Sequence, residues 1–342
     1  MGQLRSQQGG PDIAPAMQGP DTFRMRDLYE RVFHASAAMR EVERVLLSVV
    51  QGDEPILIEG ETGTGKDLVA EMVHALSDRA AGPWERVSCG AMPSDRLDVE
   101  LFGEEIAGPG GRSINIPGRI DAAAGGTIFL DEISDLSQAL QARVLELVAQ
   151  GSFHRNGGRQ ANRVAARLIA STHRDLRVRV ASGTFRADLY QRLAATTLRI
   201  PPLRERREEI PLLVEHFRSK FAAATGSLRP RLSSRTMDTL IAYEWPGNVR
   251  ELSNLVRRYV VLGDERYVRD EIATRRRSML RAQFSPMPGE GLRSLSRRIT
   301  RQAERSAIED VLARVDGNRA AAARHLKVSY KTLLSKLKSP DR

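Results

Sequence analysis

The chain has 342 residues, 41% of them apolar. That is too long for one core and apolar enough to bury two or three. A single cysteine, Cys89, excludes an internal disulfide framework and suits a reducing cytoplasm. No apolar run is long enough to cross a bilayer and no signal-peptide core opens the chain, so a cytoplasmic protein without a membrane partner is expected. The formal charge of +10 is concentrated. Residues 266–342 hold 19 Lys and Arg against 8 Asp and Glu, which directs the search for a nucleic-acid partner to that tail.

Residues 1–22 are rich in Gly, Pro and Gln and read as a disordered lead, too short to hold a sensing domain. Residues 24–50 carry apolar positions at helical spacing. The apolar run Ile56-Leu57-Ile58 then meets Gly60-Glu61-Thr62-Gly63-Thr64-Gly65-Lys66-Asp67, and helical periodicity resumes at Leu68. Strand, glycine-rich turn and helix in this order give the G-x-x-x-x-G-K string its meaning. Glycine backbone can point successive N–H groups at phosphate oxygens, the helix adds its N-terminal dipole, and Lys66 reaches the β- and γ-phosphates. Position 67 is Asp, where the general pattern has a hydroxyl for Mg²⁺.

Residues 84–88 read as a second strand and 95–102 as a helix. Residues 103–118, with Gly and Pro and no period, read as a surface loop. Thr127-Ile128-Phe129-Leu130-Asp131-Glu132 is an apolar strand ending in two carboxylates, the form of a Walker B element. Asp131 is the expected metal-holding carboxylate and Glu132 the one that polarises the attacking water. A helix follows over 138–150, then a strand over 167–173. At its end Thr172 and His173 stand where a γ-phosphate would be sensed, although the residues leave His173 equally open to being a packed histidine. Pro201-Pro202 ends the alternation, and beyond it lie helices only, over 208–224, 233–243 and 249–262. The pattern predicts an α/β fold, a doubly wound parallel sheet with a small all-α lid.

These strings resemble the AAA+ domain of bacterial enhancer-binding proteins, the sigma-54 activators, over residues 28–263. The matching strings are 60–67, Glu100-Leu101-Phe102-Gly103, 125–132, 172–176, 185–193, 201–206 and 245–252. In that family an acidic residue follows the Walker lysine, so Asp67 is a mild substitution. The resemblance implies that ATP and Mg²⁺ are the cofactors and that the chain is an ATPase assembled as a ring, expected to be a hexamer. It further implies that Arg186 and Arg192 are fingers offered to the neighbouring subunit's ATP and that Arg250 reaches the nucleotide from the lid. Ser88 stands where the family has an Asn that restrains the Walker B glutamate.

The tail resembles the Fis-type helix-turn-helix of the same family. A long helix over 295–315 precedes helices 319–326 and 330–337, capped by Asn318 and Ser329, around a core of Leu326, Val328, Leu333, Leu334 and Leu337. Four of the chain's six lysines (Lys327, Lys331, Lys336, Lys338) lie here. Arg319, Lys327, Ser329, Tyr330, Lys331, Thr332, Ser335 and Lys336 are the expected contacts to double-stranded DNA, made by a dimer. The division expected is 1–22 lead, 23–200 α/β subdomain, 201–265 lid, 266–291 linker and 292–342 all-α helix-turn-helix domain.

The family carries Gly-Ala-Phe-Thr-Gly-Ala in the loop after Glu-Leu-Phe-Gly, where its Phe and Thr engage the sigma factor. This chain has Ala107-Gly108-Pro109-Gly110-Gly111-Arg112 at those positions, with the loop length kept. The expectation is an ATP-dependent transcription regulator that contacts RNA polymerase holoenzyme by another route than sigma-54. A conventional sigma-54 activator, and a DNA-binding regulator that uses ATP only for assembly, are the alternatives.

Overall fold

Hydrophobic runs three to six residues long, buried on both sides, organise the N-terminal part of the chain. The structure is a computed structural model that describes residues 36–108, 113–226, 231–285, 290–315 and 318–338. The expected lead at 1–22 and the loop-tip positions 109–112 lie outside them. The chain divides into two compact units at residue 268.

Helix α1 (Ala37–Val49) begins at Ser36, whose Oγ accepts from the Met39 N–H at 3.1 Å. It leads into β1 (Ile56–Glu59), α2 (Lys66–Leu76), β2 (Trp84–Ser88) and α3 (Ser94–Phe102). The segment read as a surface loop is instead an antiparallel hairpin of β3 (Glu104–Ala107) and β4 (Ser113–Ile116), with Ile106 opposite Ile114. Glycine and proline around the tip hide two four-residue strands, too short to show a period. After α4 (Arg119–Ala122) come β5 (Thr127–Asp131) and α5 (Gln138–Gln150). A second hairpin pairs β6 (Ser152–His154) with β7 (Ala161–Arg163), and β8 (Arg167–Thr172), α6 (Leu176–Ala181), α7 (Ala187–Leu193) and β9 (Thr197–Arg199) complete the α/β part.

The five main strands form one parallel sheet in the order β2-β5-β8-β1-β9. Successive strand residues face opposite sides. Leu57, Ile128, Leu130, Leu168 and Ala170 enter the core under α3, α5 and α7, whereas Ile56, Ile58, Phe129, Ile169 and Leu198 face α1 and α2. This is the expected doubly wound fold, in which parallel strands are covered on both faces.

The lid comprises α8 (Ile210–Thr225), α9 (Ser234–Ile241) and α10 (Asn248–Leu262). Trp245 is fully buried there, its indole N–H bonded to the Leu240 carbonyl at 2.8 Å and its ring edge-on to Tyr243. The stretch expected as a linker is mostly the twenty-residue helix α11 (Glu265–Phe284). It holds no Gly or Pro, buries Val268 and Ile272 one turn apart, and carries a Glu271–Arg275 pair at 2.8 Å. The two prolines between Gln283 and Gly291 suggest a linker, but the helical spacing ahead of them prevails.

In the second unit α12 (Leu292–Arg314), α13 (Arg319–His325) and α14 (Tyr330–Lys338) enclose Ile308, Val311, Ala322, Ala323 and Leu333. Leu326 and Val328 pack against this core and Leu334 is half-buried; the Leu337 side chain lies outside the described residues.

Sheet and lid meet at the glycine-rich loop. Gly63 has φ +80°, and a Cβ there would lie 2.5 Å from the Gly247 carbonyl oxygen at the start of α10. Gly63→Ala combines a left-handed non-glycine residue with a backbone clash, so a loss of about 1–3 kcal/mol in unfolding free energy is expected by urea titration. An unchanged midpoint would mean that the lid does not rest on this loop.

Candidate functional site

Loop 60–65 runs from the C-terminal end of β1 to the N-terminus of α2, the end of a parallel sheet where ligands bind. Gly63 and Gly65 take positive φ of 80° and 99°. Gly60 does not. Its requirement is space, because a Cβ there would come within 2.9 Å of the Ile200 carbonyl. Nothing lies within 4 Å of a Cβ built on Gly65, so its requirement for glycine is the positive φ and not space. Thr64 is buried, its hydroxyl donating to the Glu61 carbonyl at 2.8 Å, while Thr62 is exposed. Lys66 is buried. Its Nζ donates to the carbonyls of Gly60 (2.9 Å) and Glu61 (3.3 Å) and lies 3.4 Å from Glu132 Oε1.

The ends of β5 and β8 supply the acids. Asp131 Oδ1 accepts from Ser171 Oγ at 2.6 Å and Oδ2 from Arg86 Nη2 at 2.9 Å. Glu132 stands just past the strand at φ 60°, a conformation that strains a non-glycine residue and turns its carboxylate toward Lys66. Its N–H donates to Ser171 Oγ at 3.1 Å. Glu132 Oε2 accepts from the His173 backbone N–H at 3.0 Å and lies 2.6 Å from His173 Nδ1. The His173 ring thus has a polar partner at the strand end, the carboxylate of Glu132. Thr172 is buried, its Oγ1 bonded within its own turn to the backbone of Arg174. Ser88 pairs across from Asp131 in register and is exposed, and among the described residues Glu132 is bonded to His173 and not to Ser88. Burial, and then the charges of Asp131, Asp135 and Glu132, raise the pKa of the neighbouring buried Cys89 thiol, which favours its neutral form.

The lid reaches the loop through a network that the sequence did not reveal. Arg204 grips Glu61 with two bonds of 2.9 and 2.7 Å, and Asn248 Nδ2 reaches Glu61 Oε2 and the Thr62 carbonyl, both at 3.1 Å. The Arg204 bond, against a smaller opposing cost of burial, lowers the Glu61 pKa. Asn248 Oδ1 accepts from the Leu203 N–H at 2.8 Å, and the Arg250 N–H donates to the Gly63 carbonyl at 3.2 Å. Buried Arg206 bonds the Thr64 carbonyl at 2.7 Å and Glu209 at 3.0 Å, and Ser36 donates to Glu209 at 2.5 Å. Burial lowers the Arg206 pKa and raises that of Glu209.

Not every expected site residue joins this cluster. Arg186 caps α7, bonded to Asp188 at 3.0 and 2.8 Å, with its N–H on Gln141 Oε1 at 2.8 Å. Arg192 is exposed beside a groove of about 570 Å³ lined by Glu146, Asp188 and Gln191. Neither contacts the phosphate loop among the described residues. The Arg250 side chain is likewise exposed.

A loop of positive-φ glycines with a buried lysine at its end fits a nucleotide's phosphates. Among the described residues no group of three or more His, Cys, Asp or Glu converges on a metal position. A divalent cation would therefore rely on Asp131 together with the nucleotide's own oxygens, which suits Mg²⁺.

In the second unit both caps form as expected. Asn318 Oδ1 accepts from the N–H groups of Ala320 and Ala321 at 3.1 Å, and Ser329 Oγ from Thr332 at 3.0 Å. Arg319, Lys327, Ser329, Tyr330, Lys331, Thr332, Ser335 and Lys336 are all exposed. Lys327 occupies the turn between α13 and α14 at φ 53°, and Lys336 is ion-paired with Glu304, which ties α14 to α12.

Residues 32–199 match the sigma-54 interaction domain, residues 204–275 the AAA+ ATPase lid domain, and residues 299–339 the Fis family of bacterial regulatory proteins. The lid match runs past residue 265, in agreement with α11. Fold and site together define an AAA+ ATPase domain joined to a DNA-binding helix-turn-helix. The chain belongs to the bacterial enhancer-binding proteins, the sigma-54 activators, and is a DNA-binding transcription regulator. It is 39% identical over 303 residues to the transcriptional regulatory protein ZraR of Salmonella typhimurium, covering 89% of this chain and 67% of that one. It is 36% identical to the DNA-binding transcriptional regulator NtrC of Azospirillum brasilense, over 90% and 68% of the two chains. Crystal structures of NtrX from Brucella abortus with ADP and with ATP superpose with a TM-score of 0.64 at 29% identity, covering 93% of this chain and 72% of that one. Among the described residues no helix is long and apolar enough to cross a membrane.

Proposed function

We propose that this protein hydrolyses ATP with Mg²⁺ and couples the reaction to transcription by a route other than the family's usual engagement of sigma-54. Hydrolysis is supported by the convergence of Lys66, Asp131 and Glu132 at the strand ends. In this reading Lys66 leaves the loop carbonyls for the phosphates, Asp131 holds the metal, and Glu132 accepts a proton from the attacking water. His173 holds Glu132 away from that task until phosphate occupies the loop. Arg186 and Arg192 act across a subunit boundary in a ring, expected to be a hexamer. Their remoteness from the phosphate loop of their own chain supports that role, and a guanidinium supplied in trans offsets charge on the transferring phosphoryl. Arg250 senses the nucleotide from the lid, and dimers place the exposed basic face of α13 and α14 on DNA.

The departure from sigma-54 rests on one observation. Pro109 and Gly110 stand where the family has an aromatic residue and a threonine, at the tip joining β3 and β4. The tip lacks the large apolar side chain an interface anchor requires, and three glycines raise the entropy cost of ordering it. One observation favours the conventional reading: Ile106, Ile114 and Ile116 on the same hairpin are 38%, 46% and 42% exposed, an apolar face near the tip.

Lys66→Ala is expected to lower nucleotide affinity at least tenfold, whereas Glu132→Gln should bind ATP normally and lose turnover by a factor of about 100 or more. Purified Glu132→Gln with wild-type turnover would remove Glu132 from the reaction. For the coupling, transcription is measured with the protein bound upstream of a sigma-54 promoter and, separately, with each other holoenzyme. We expect no ATP-dependent open complex from sigma-54 polymerase. Robust opening that is lost in Lys66→Ala would restore the conventional function.

A further inference from the structure

Arg86 has no part in the mechanism above, yet it lies at the metal-facing edge of the site. It belongs to β2, paired in register with Phe129 of β5, two residues before Asp131. Residues two apart along a strand share a face, so the Arg86 side chain extends over the Phe129 ring (5.7 Å to its centre) toward the carboxylate at the strand end. There Nη2 bonds Asp131 Oδ2 at 2.9 Å and Nη1 lies 3.6 Å from Asp67 Oδ2. One guanidinium thus bridges the Walker B aspartate and the residue that replaces the general motif's hydroxyl.

The reason for such a bridge is electrostatic. With Asp at 67, two carboxylates face the same edge, and Glu71 lies one turn along α2 from Asp67. Burial and then the Asp67 charge raise the Glu71 pKa, so the acids there repel one another. The Arg86 guanidinium answers this crowding by geometry, lying 2.9 Å from Asp131 Oδ2 and 3.6 Å from Asp67 Oδ2. Lys66 is engaged elsewhere, on loop carbonyls and Glu132.

We propose that Arg86 is a resident counter-cation for this edge. It holds Asp131 and Asp67 together while no divalent cation is bound, and it must give up Asp131 Oδ2 before such a cation can use that oxygen. Arg86 is thereby a positioning residue that suppresses binding of free metal and makes the divalent cation depend on the nucleotide that accompanies it. The proposal deepens the reading of Asp131 as the metal-holding carboxylate and rests on it.

The test measures Mn²⁺ binding to the full chain without nucleotide, by electron paramagnetic resonance at low ionic strength. Removing one positive charge about 5 Å from a divalent cation should tighten binding about tenfold in Arg86→Gln relative to wild type. Asp131→Asn in the Arg86→Gln background should abolish the gain. Equal Mn²⁺ affinity in wild type and a folded Arg86→Gln would overturn the proposal, as would a gain that survives Asp131→Asn. If Arg86→Gln does not fold, Arg86→Met carries the test, since methionine keeps an apolar stem over the Phe129 ring and removes the charge: tighter Mn²⁺ binding than wild type supports the bridge, and equal binding overturns it. Binding of a fluorescent ATP analogue, measured in parallel, isolates the underlying reading. Loss of the nucleotide site would show as no analogue binding by wild type, whatever the Mn²⁺ result.

Discussion

The close approach of the Gly63 backbone to the start of α10 is the constraint on which the site depends. No side chain fits between Gly63 and Gly247, and the Gly63 carbonyl takes the Arg250 N–H. The loop that receives phosphate is therefore also the seat of the lid. Glu61 strengthens the seat by accepting Arg204 and Asn248 together, and Asn248 spends its remaining oxygen on the Leu203 N–H. Each of these groups is satisfied only while the others stay in place, so a displacement of the loop by a ligand reaches α10 without a separate linkage.

At the strand ends Lys66, Glu132, Arg86 and Asp131 are paired among the described residues. Lys66 lies on loop carbonyls and beside Glu132, His173 holds the other oxygen of Glu132, and Arg86 holds Asp131. In the proposed reaction each of them is placed differently: the lysine on phosphate, the glutamate on water, the aspartate on metal. The proposed reaction would therefore exchange these contacts for contacts with the nucleotide, the water and the metal. The left-handed backbone at Glu132 is strain of the kind found at functional sites, held here by the Ser171 hydroxyl beneath it.

How much of this could be read in advance follows from the range of each interaction. Strands β1, β5 and β8 are continuous apolar runs because both their faces are buried, and the glycine loop between β1 and α2 declares itself by spacing. Three-residue β6, β7 and β9 carry too few positions to show a period. The β3–β4 hairpin read as loop because its glycines and proline dominate the composition. Residues 266–291 read as linker on the two prolines between Gln283 and Gly291, while the helical spacing of Val268 and Ile272 ahead of them is only two positions long. Networks are harder still. Glu61 lies 143 residues from Arg204 and 187 from Asn248, and nothing local to Glu61 announces either partner. The partner of His173 comes from 41 residues away, Glu132 at 2.6 Å, and nothing local to His173 announces it. Arg186 and Arg192 stand out only through family likeness, since their proposed partner is another subunit.

The central claim is that nucleotide in the loop is felt by the lid through the Gly63–α10 seat. Hydrogen–deuterium exchange of the Glu132→Gln protein with and without ATP addresses it directly. The account predicts that residues 60–67 and 247–252 gain protection together, at the same ATP concentration. Protection confined to the loop, with the start of α10 exchanging as in the free protein, would contradict it.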